Sequence, residues 1–512
     1  MASPASSVPE HPGTAGPWHP LVLLALALAA WVFFPITRVY FFSDDFVHLA
    51  SIASDRAAVF LLSPFGGHNY LVRNLIFYLT YHAIGLRADL YFWGVLLTHL
   101  LNVALLFGLV RLLTGSATLA CFGAVLWGTS PLQEGTLAWY AAYGHVLATT
   151  VMLLVLLSVA RLAATGTRPR TRTAWLWFGL LLLGTTLYGV GIGAALTFPI
   201  VLLLLLPAAW YEPGPRALAL AVPLVTLAMY FVLRWVATYI APLPIEELVQ
   251  EALAHSGFGT IPPLLGHLLA FVTAGTVLSF FLGSYPDLRS VVVVVVFAGC
   301  LAFALWRGDG PARRAMLAML VVTGGIYLLI AIGRGHIYQV FHVPPAKAAA
   351  VDRYHYAGSL PVAVLLCLVL QQIGRLGPLR RVPPGLALAA GLGVLAVGYA
   401  RSGMVIDQRY KVREYFARTM QEINAAITAQ PPGSTVYIEN LTSPRVLLGV
   451  MPNRLFPGRA GVFVITHPSD MVDGRRVRFI ERDPEVLTWY TDRPETRLAH
   501  LLVNAQDGAA PP

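Results

Sequence analysis

The chain has 512 residues, of which 57% are hydrophobic and only 12% charged, with a formal net charge of +10. A soluble domain carries roughly 25% charged residues, so an ordinary water-soluble globule is excluded. The positive balance does not mark a nucleic-acid binder either, because the arginines fall in short segments between apolar runs rather than along one basic face.

In chain order, residues 1–20 are rich in Pro, Ser and Gly, contain no Lys or Arg, and read as a disordered cytoplasmic tail. The run LVLLALALAAWVFF from Leu21 lacks the basic flank of a secretory signal and exceeds its usual apolar core, so it reads as a retained first transmembrane helix. Apolar runs of about 16–24 residues cross a bilayer as helices, since unsatisfied backbone is too costly there. On that basis spans are expected at 21–36, 90–112, 117–131, 145–163, 174–190, 192–208, 217–239, 291–306, 316–332, 357–374 and 384–400. The run 264–283 is apolar too, but a full crossing there inverts every later loop, so it is taken as re-entrant or interfacial. The expected fold class is a polytopic α-helical membrane protein of about 11–13 transmembrane helices, with a small extramembrane α/β domain at the C-terminal end.

Charge sets the orientation. The segments 161–172, 307–314 and 375–381 are short and strongly basic, which places them in the cytoplasm, the N-terminus inside and the C-terminus outside. The acids concentrate on the opposite side, where only Glu212 and Asp309 of the membrane portion are missing. Residues 37–89 form a long first external loop, within which NLIFYLTYHAIGL (74–86) is too short and polar to span and reads as a helix on the membrane surface. The cysteines Cys121, Cys300 and Cys367 lie inside apolar runs and imply no disulfide framework.

The membrane portion is thus 21–400, and composition changes at about Arg401. Residues 407–428 have helical spacing, and STVYIEN, GVFVITH (461–467) and RRVRFIE (475–481) alternate as strands. Residues 401–512 therefore read as an external domain, without any nucleotide, metal or nucleophile motif.

The chemistry-bearing residues gather outside. Asp44 and Asp45 follow directly on the first membrane helix; adjacent carboxylates raise one pKa and supply a proton acceptor. The same Ser43-Asp44-Asp45 run also suits the start of a surface helix. His48 lies one helical turn after Asp44. Arg353, flanked by Tyr354, His355 and Tyr356, has the two-pronged charge that suits a phosphate, as does Arg73. For Arg353 an anchoring place in an aromatic belt is the alternative, and for Arg73 a salt bridge to Asp44 or Glu134. Glu134 with Trp139, Tyr140 and Tyr143 makes an aromatic group able to border a sugar cleft. His336, His342, Arg334 and Lys347 add a basic patch in the loop of Arg353. His99 and Asn102 in an apolar run read as an interhelical hydrogen bond.

These stretches resemble the membrane glycosyltransferases of the C-type fold (GT-C), in particular the branch of protein O-mannosyltransferases and the transmembrane-and-tetratricopeptide-repeat mannosyltransferases. The acidic motif Ser43-Asp44-Asp45-Phe46 stands where that fold has it, just beyond helix one. Arg73 falls at the branch's Arg, with Asn74 in place of its Pro. Pro131, Glu134 and Trp139 match its second external loop, whereas Ser130 and Gln133 replace His and Gly144 replaces Arg. DRYHYAGSLP (352–361) resembles its Arg-Tyr-x-Tyr-x-Pro-Ser element, and no tetratricopeptide repeats are present. The resemblance implies transfer of a sugar, mannose in that branch, from a polyprenyl phosphate to an acceptor hydroxyl on the extracytoplasmic face, with inversion. Asp44 or Asp45 is then the base; Arg353, Arg73 and Tyr354 take the donor phosphate; His48, Glu134, Trp139 and Tyr356 line the sugar or acceptor region. The partners expected are the lipid-linked donor, membrane lipids and a protein or glycan acceptor, in a plasma or inner membrane. No cofactor or metal is implied by this branch, although relatives that use a divalent ion would hold it at Asp44, Asp45 and His48. Two other classes share these features: a transporter or flippase of lipid-linked sugars, disfavoured by the absence of internal repeats and by spans nearly free of charge apart from Arg234, and a glycan polymerase or ligase.

Overall fold

The structure, a computed structural model, describes residues 18–41, 44–54, 56–64, 68–240, 261–280, 285–340, 343–376 and 381–400, with three short strands beyond them. The tail before residue 18, the helix expected at 407–428, and most of the C-terminal domain lie outside the described residues. Helix α1 (Leu21–Phe33) runs into a 3-10 turn (Phe34–Arg38), and the first loop carries α2 (Asp44–Ser54), α3 (Ala57–Leu62) and α4 (Leu71–Ile84). Next come α5 (Ala88–Thr114), α6 (Ala117–Gly128), the short α7 (Glu134–Leu137) between 3-10 turns at Pro131–Gln133 and Tyr140–Ala142, and α8 (Tyr143–Thr165). The rest of the bundle is α9 (Thr171–Leu187), α10 (Gly189–Leu205), α11 (Pro213–Ile240), α12 (Ile261–Leu278), α13 (Leu288–Arg307), α14 (Gly310–Val340), α15 (Pro345–Ala349), α16 (Ser359–Gly374) and α17 (Pro384–Ala400).

The protein is a polytopic helical membrane protein. Six of the described helical stretches are long and apolar enough to cross a bilayer: Leu21–Arg38, Ala88–Thr114, Tyr140–Thr165, Pro213–Ala237, Leu288–Arg307 and Gly310–Gly335. Shorter apolar helices stand at Ala117–Gly128, Gly189–Leu205, Pro263–Leu278, Ser359–Gly374 and Pro384–Ala400. The outer helices turn bare apolar surface to their surroundings: Val291, Val292, Val295 and Val296 of α13 are all more than half exposed. That is the reverse of a soluble fold and suits a lipid solvent.

Small residues let the inner helices touch. A Cβ on Gly193 would lie 2.7 Å from the Gly325 carbonyl oxygen, so α10 and α14 meet backbone to backbone. One set of polar groups in the bundle is knitted together. The Nε2 of His99 lies 3.0 Å from the Gly128 carbonyl and its Nδ1 2.9 Å from the Tyr356 hydroxyl, while Asn102 Nδ2 donates to Tyr356 at 3.2 Å and to the Val146 carbonyl at 3.0 Å. The carbonyl cannot donate, so Nε2 carries the proton and Tyr356 donates to Nδ1. One network thus joins four segments of chain.

Helix α12 packs against α14. Gly335 near the C-terminal end of α14 faces His267, whereas Gly275 faces Tyr327, so the two helices run antiparallel. The chain then doubles back: the Tyr285 hydroxyl sits 2.8 Å from Thr273 Oγ1 and reaches the Ala270 carbonyl at 3.3 Å. α13 begins at Leu288 and runs toward the same end from which α14 starts.

The basic connections share one end of the bundle, where Arg375 pairs with Asp309 at 3.2 Å beside the turn into α14, and Arg168 pairs with Glu212 at 3.0 Å across the α8–α9 and α10–α11 connections. The first loop occupies the other end. There α4 buries Arg73, Asn74 and Phe77 while Leu75 and Leu79 are exposed, and it stops at Gly85, whose φ of +63° favours glycine. Further along the chain, Ser434–Ile438, Phe463–Ile465 and Arg476–Ile480 form a parallel sheet with the first strand central, in registers Val436↔Val464 and Val436↔Arg478. Parallel neighbours require crossover connections, as in α/β units.

Candidate functional site

The acidic pair opens helix Asp44–Ser54, and the two carboxylates part company there. Asp45 is fully buried, and its Oδ1 accepts the backbone N–H of Ala141 at 2.5 Å. Asp44 is only half buried. One turn on, buried His48 places Nε2 2.9 Å from Arg73 Nη2. A guanidinium has no acceptor, so His48 takes that hydrogen bond on an unprotonated Nε2. Burial, and secondarily the Arg73 charge, holds the His48 pKa well below the usual histidine range, in keeping with a neutral ring.

Arg73 does more than face His48. Its Nη2 donates to the Ala141 carbonyl at 3.0 Å and its Nη1 to Asn74 Oδ1 at 2.8 Å, while the guanidinium lies 4.5 Å from the Tyr70 ring centre. Asn74 in turn donates to the Phe60 carbonyl at 3.0 Å, so the residue standing where the resembling branch has Pro ties Arg73 to helix Ala57–Leu62. The Ala141 peptide is therefore clamped from both sides, its N–H by Asp45 and its carbonyl by Arg73. Arg73 is held by these groups rather than by a salt bridge to Asp44 or Glu134, among the hydrogen bonds described.

The same turn carries the second group. Arg353 sits 4.7 Å over the Trp139 ring and 5.1 Å from the Tyr354 ring, to whose hydroxyl its Nη2 donates at 3.3 Å. Tyr338 lies 3.0 Å from that hydroxyl, and the Arg334 guanidinium 5.9 Å from the Tyr354 ring. Thr136 Oγ1 donates to the Arg353 carbonyl at 3.2 Å. Gly135 is required here, since a Cβ would come within 3.0 Å of Asp352 Cβ and 3.2 Å of Arg353 N. Glu134, beside it, is almost wholly buried.

The structure thus brings Asp45, His48 and Arg73 together, and Arg353, Tyr354 and Trp139 together, on one turn of the second loop. Tyr356 belongs elsewhere: it is fully buried and spent on His99, Asn102 and the Trp127 indole, which donates to its carbonyl at 3.2 Å. Lys347 is exposed, and His342 and the His336 side chain lie outside the described residues. His48 Nε2 faces a guanidinium and is not offered to a cation; among the described residues no group of three or more His, Cys, Asp or Glu side chains gathers to hold a metal.

A third group was not legible in the motifs. His68, Tyr70 and Tyr188 have ring centres 5.1–5.4 Å apart, and His145 stacks on Tyr188 at 3.6 Å. Glycines make room for it: a Cβ on Gly189 would lie 2.7 Å from His68 Cε1, and one on Gly144 would strike the Leu187 carbonyl and lie 2.8 Å from Tyr188 Cδ2. The replacement of the branch's Arg by Gly144 is therefore demanded by this packing. The available signal was weak, namely glycines beside aromatics at two helix starts.

No family model matches the chain, and no curated protein matches it. Among solved structures it is similar to the crystal structure of ArnT from Cupriavidus metallidurans bound to undecaprenyl phosphate, at 16% identity and a TM-score of 0.33, over 93% of this chain and 89% of that one. A likeness of that depth carries no argument about chemistry.

Proposed function

We propose that the protein is a glycosyltransferase that moves a sugar, mannose by the motif resemblance, from a polyprenyl phosphate to an acceptor hydroxyl on the extracytoplasmic face. The observation that supports this is the shared turn at 139–141: Asp45 of the acidic motif is anchored on Ala141 and Arg353 of the late motif on Trp139, two residues away. The acidic motif and the late arginine thereby meet on one turn, at the end of the bundle away from the short basic connections, which supports a base at Asp44 beside a phosphate ligand at Arg353.

The half-buried Asp44 takes the acceptor's hydroxyl proton. The acceptor oxygen then attacks the anomeric carbon, and the bond from that carbon to the phosphate oxygen breaks with its electron pair, releasing polyprenyl phosphate. Attack opposite the leaving group inverts the anomeric centre. Arg353, held flat by Trp139 and Tyr354, neutralises charge developing on the phosphate. Asp45, His48 and Arg73 are positioning residues that lock the second loop against the first. On the pattern of the resembling branch no metal takes part, so chelation is expected to leave the rate unchanged.

The test is sugar transfer by the purified full-length protein in nanodiscs, with a panel of labelled polyprenyl-phosphate sugars. Wild type should consume one donor while Asp44→Asn does not, with unchanged melting; full activity of Asp44→Asn would sink the assignment.

A further inference from the structure

Tyr188 and His68 are half buried at the same end of the bundle as Asp44 and Arg353, backed by buried Tyr70 and His145. The group is continuous with the acidic motif, because Tyr70 lies on Arg73 and Arg73 on His48. His145 is 2% exposed, yet its Nε2 has no hydrogen-bond partner among the described residues. A buried imidazole nitrogen left without a partner costs about 1–3 kcal/mol, which a bound hydroxyl would recover. Half-exposed aromatic rings beside a buried hydrogen-bonding nitrogen suit a pyranose, which offers C–H faces and hydroxyl edges.

The surrounding charges narrow the choice. The His68 ring is driven down to about 3 by burial first, then by Arg334, Arg234 and Arg73, so it is a neutral ring among guanidiniums. Arg73 lies 4.5 Å from the Tyr70 ring centre, and a Cβ on Gly333, the neighbour of Arg334, would lie 3.7 Å from His68 Cε1, so two arginine-bearing helices pack against the group. A protonated amine on the sugar would meet these cations in a poorly screened setting.

We propose that the Tyr188 and His68 rings, with His145 Nε2, seat the sugar of the lipid-linked donor, and that this sugar carries no positive charge. The inference rests on the glycosyltransferase reading for the identity of the donor. It adds to that reading where the sugar sits and which charge the seat excludes.

Binding by native mass spectrometry and transfer are measured on the full-length protein in nanodiscs. The ligands share one polyprenyl phosphate and carry mannose, glucose, a free-amine sugar or no sugar. The neutral-sugar donors should bind at least about tenfold more tightly than the amino-sugar donor. Tyr188→Leu and His145→Ala should weaken neutral-donor binding about tenfold and leave the sugar-free lipid bound as in wild type. Tyr188→Phe, which keeps the ring, should bind as wild type does. Equal binding of the amino-sugar donor, or parallel loss of the sugar-free lipid in the variants, overturns the sugar seat. The expected binding pattern without turnover of any donor would retain the seat and reject the transferase reaction; no binding of any lipid would reject both.

Discussion

The two ends of the helix bundle use charge in opposite ways. At the end of the short basic connections, Arg168 pairs with Glu212 and Arg375 with Asp309, and both arginines are more than half exposed. At the other end Asp45, His48 and Arg73 are buried and bonded to backbone as much as to one another. Exposed pairs are worth roughly 0–1 kcal/mol and tolerate replacement, whereas a buried charge stripped of one partner costs about 3–5 kcal/mol. The first end therefore needs only the sign of its charge. The second needs particular atoms in particular places, which is the condition for chemistry.

The contrast can be broken by substitution. On the proposed reaction the largest effect is at Asp44, where loss of the general base is expected to lower transfer by about 10²–10⁴-fold without lowering the melting temperature in detergent. Arg73→Leu should come next, costing about 3–5 kcal/mol in stability because Asp45 loses its nearby cation and the Ala141 carbonyl its donor; an unchanged melting temperature would refute the clamp. Gly144→Arg, which restores the residue of the resembling branch, should destabilise the fold or rearrange the Tyr188 stack, read as loss of expression or a lowered melting temperature.

Acid tests the buried histidines. His48 and His68 have folded-state pKa values below that of the unfolded chain, with His68 near 3, so the unfolded state binds more protons at moderate acidity. Their contribution is complete above about pH 6.5 and shrinks as pH falls toward 3. Melting temperature should fall over that window, and His48→Gln should flatten the curve. The smallest effect is expected at Arg168→Gln or Arg375→Gln: under about 1 kcal/mol, with transfer activity unchanged. A large loss there would erase the distinction between the two ends.

Much of the fold was legible because its signal is local. A run such as Val291 to Phe297 without a charge has few alternatives to a helix in lipid, and Gly115 and Gly166, in the left-handed conformation, end the helices they follow. The strand positions near Val436, Val464 and Val477 were legible from alternation, but their parallel pairing was not, since register depends on partners far along the chain. The site was legible in part. Asp44, Asp45, Arg73, Trp139 and Arg353 carry chemistry-bearing side chains in recognisable strings, but the strings do not say which atoms meet.

The sequence by itself determined a many-helix membrane chain, its loops of charge, and two polar motifs separated by some three hundred residues, because hydrophobicity and helix length are properties of consecutive residues. Only the tertiary structure decided that Asp45 is a buried clamp while Asp44 stays half buried, that Tyr356 belongs to the His99–Asn102 network, and that His145 stacks on Tyr188. Burial and hydrogen-bond partners are set by what packs across from a residue, and in this bundle those neighbours come from helices far apart in the chain.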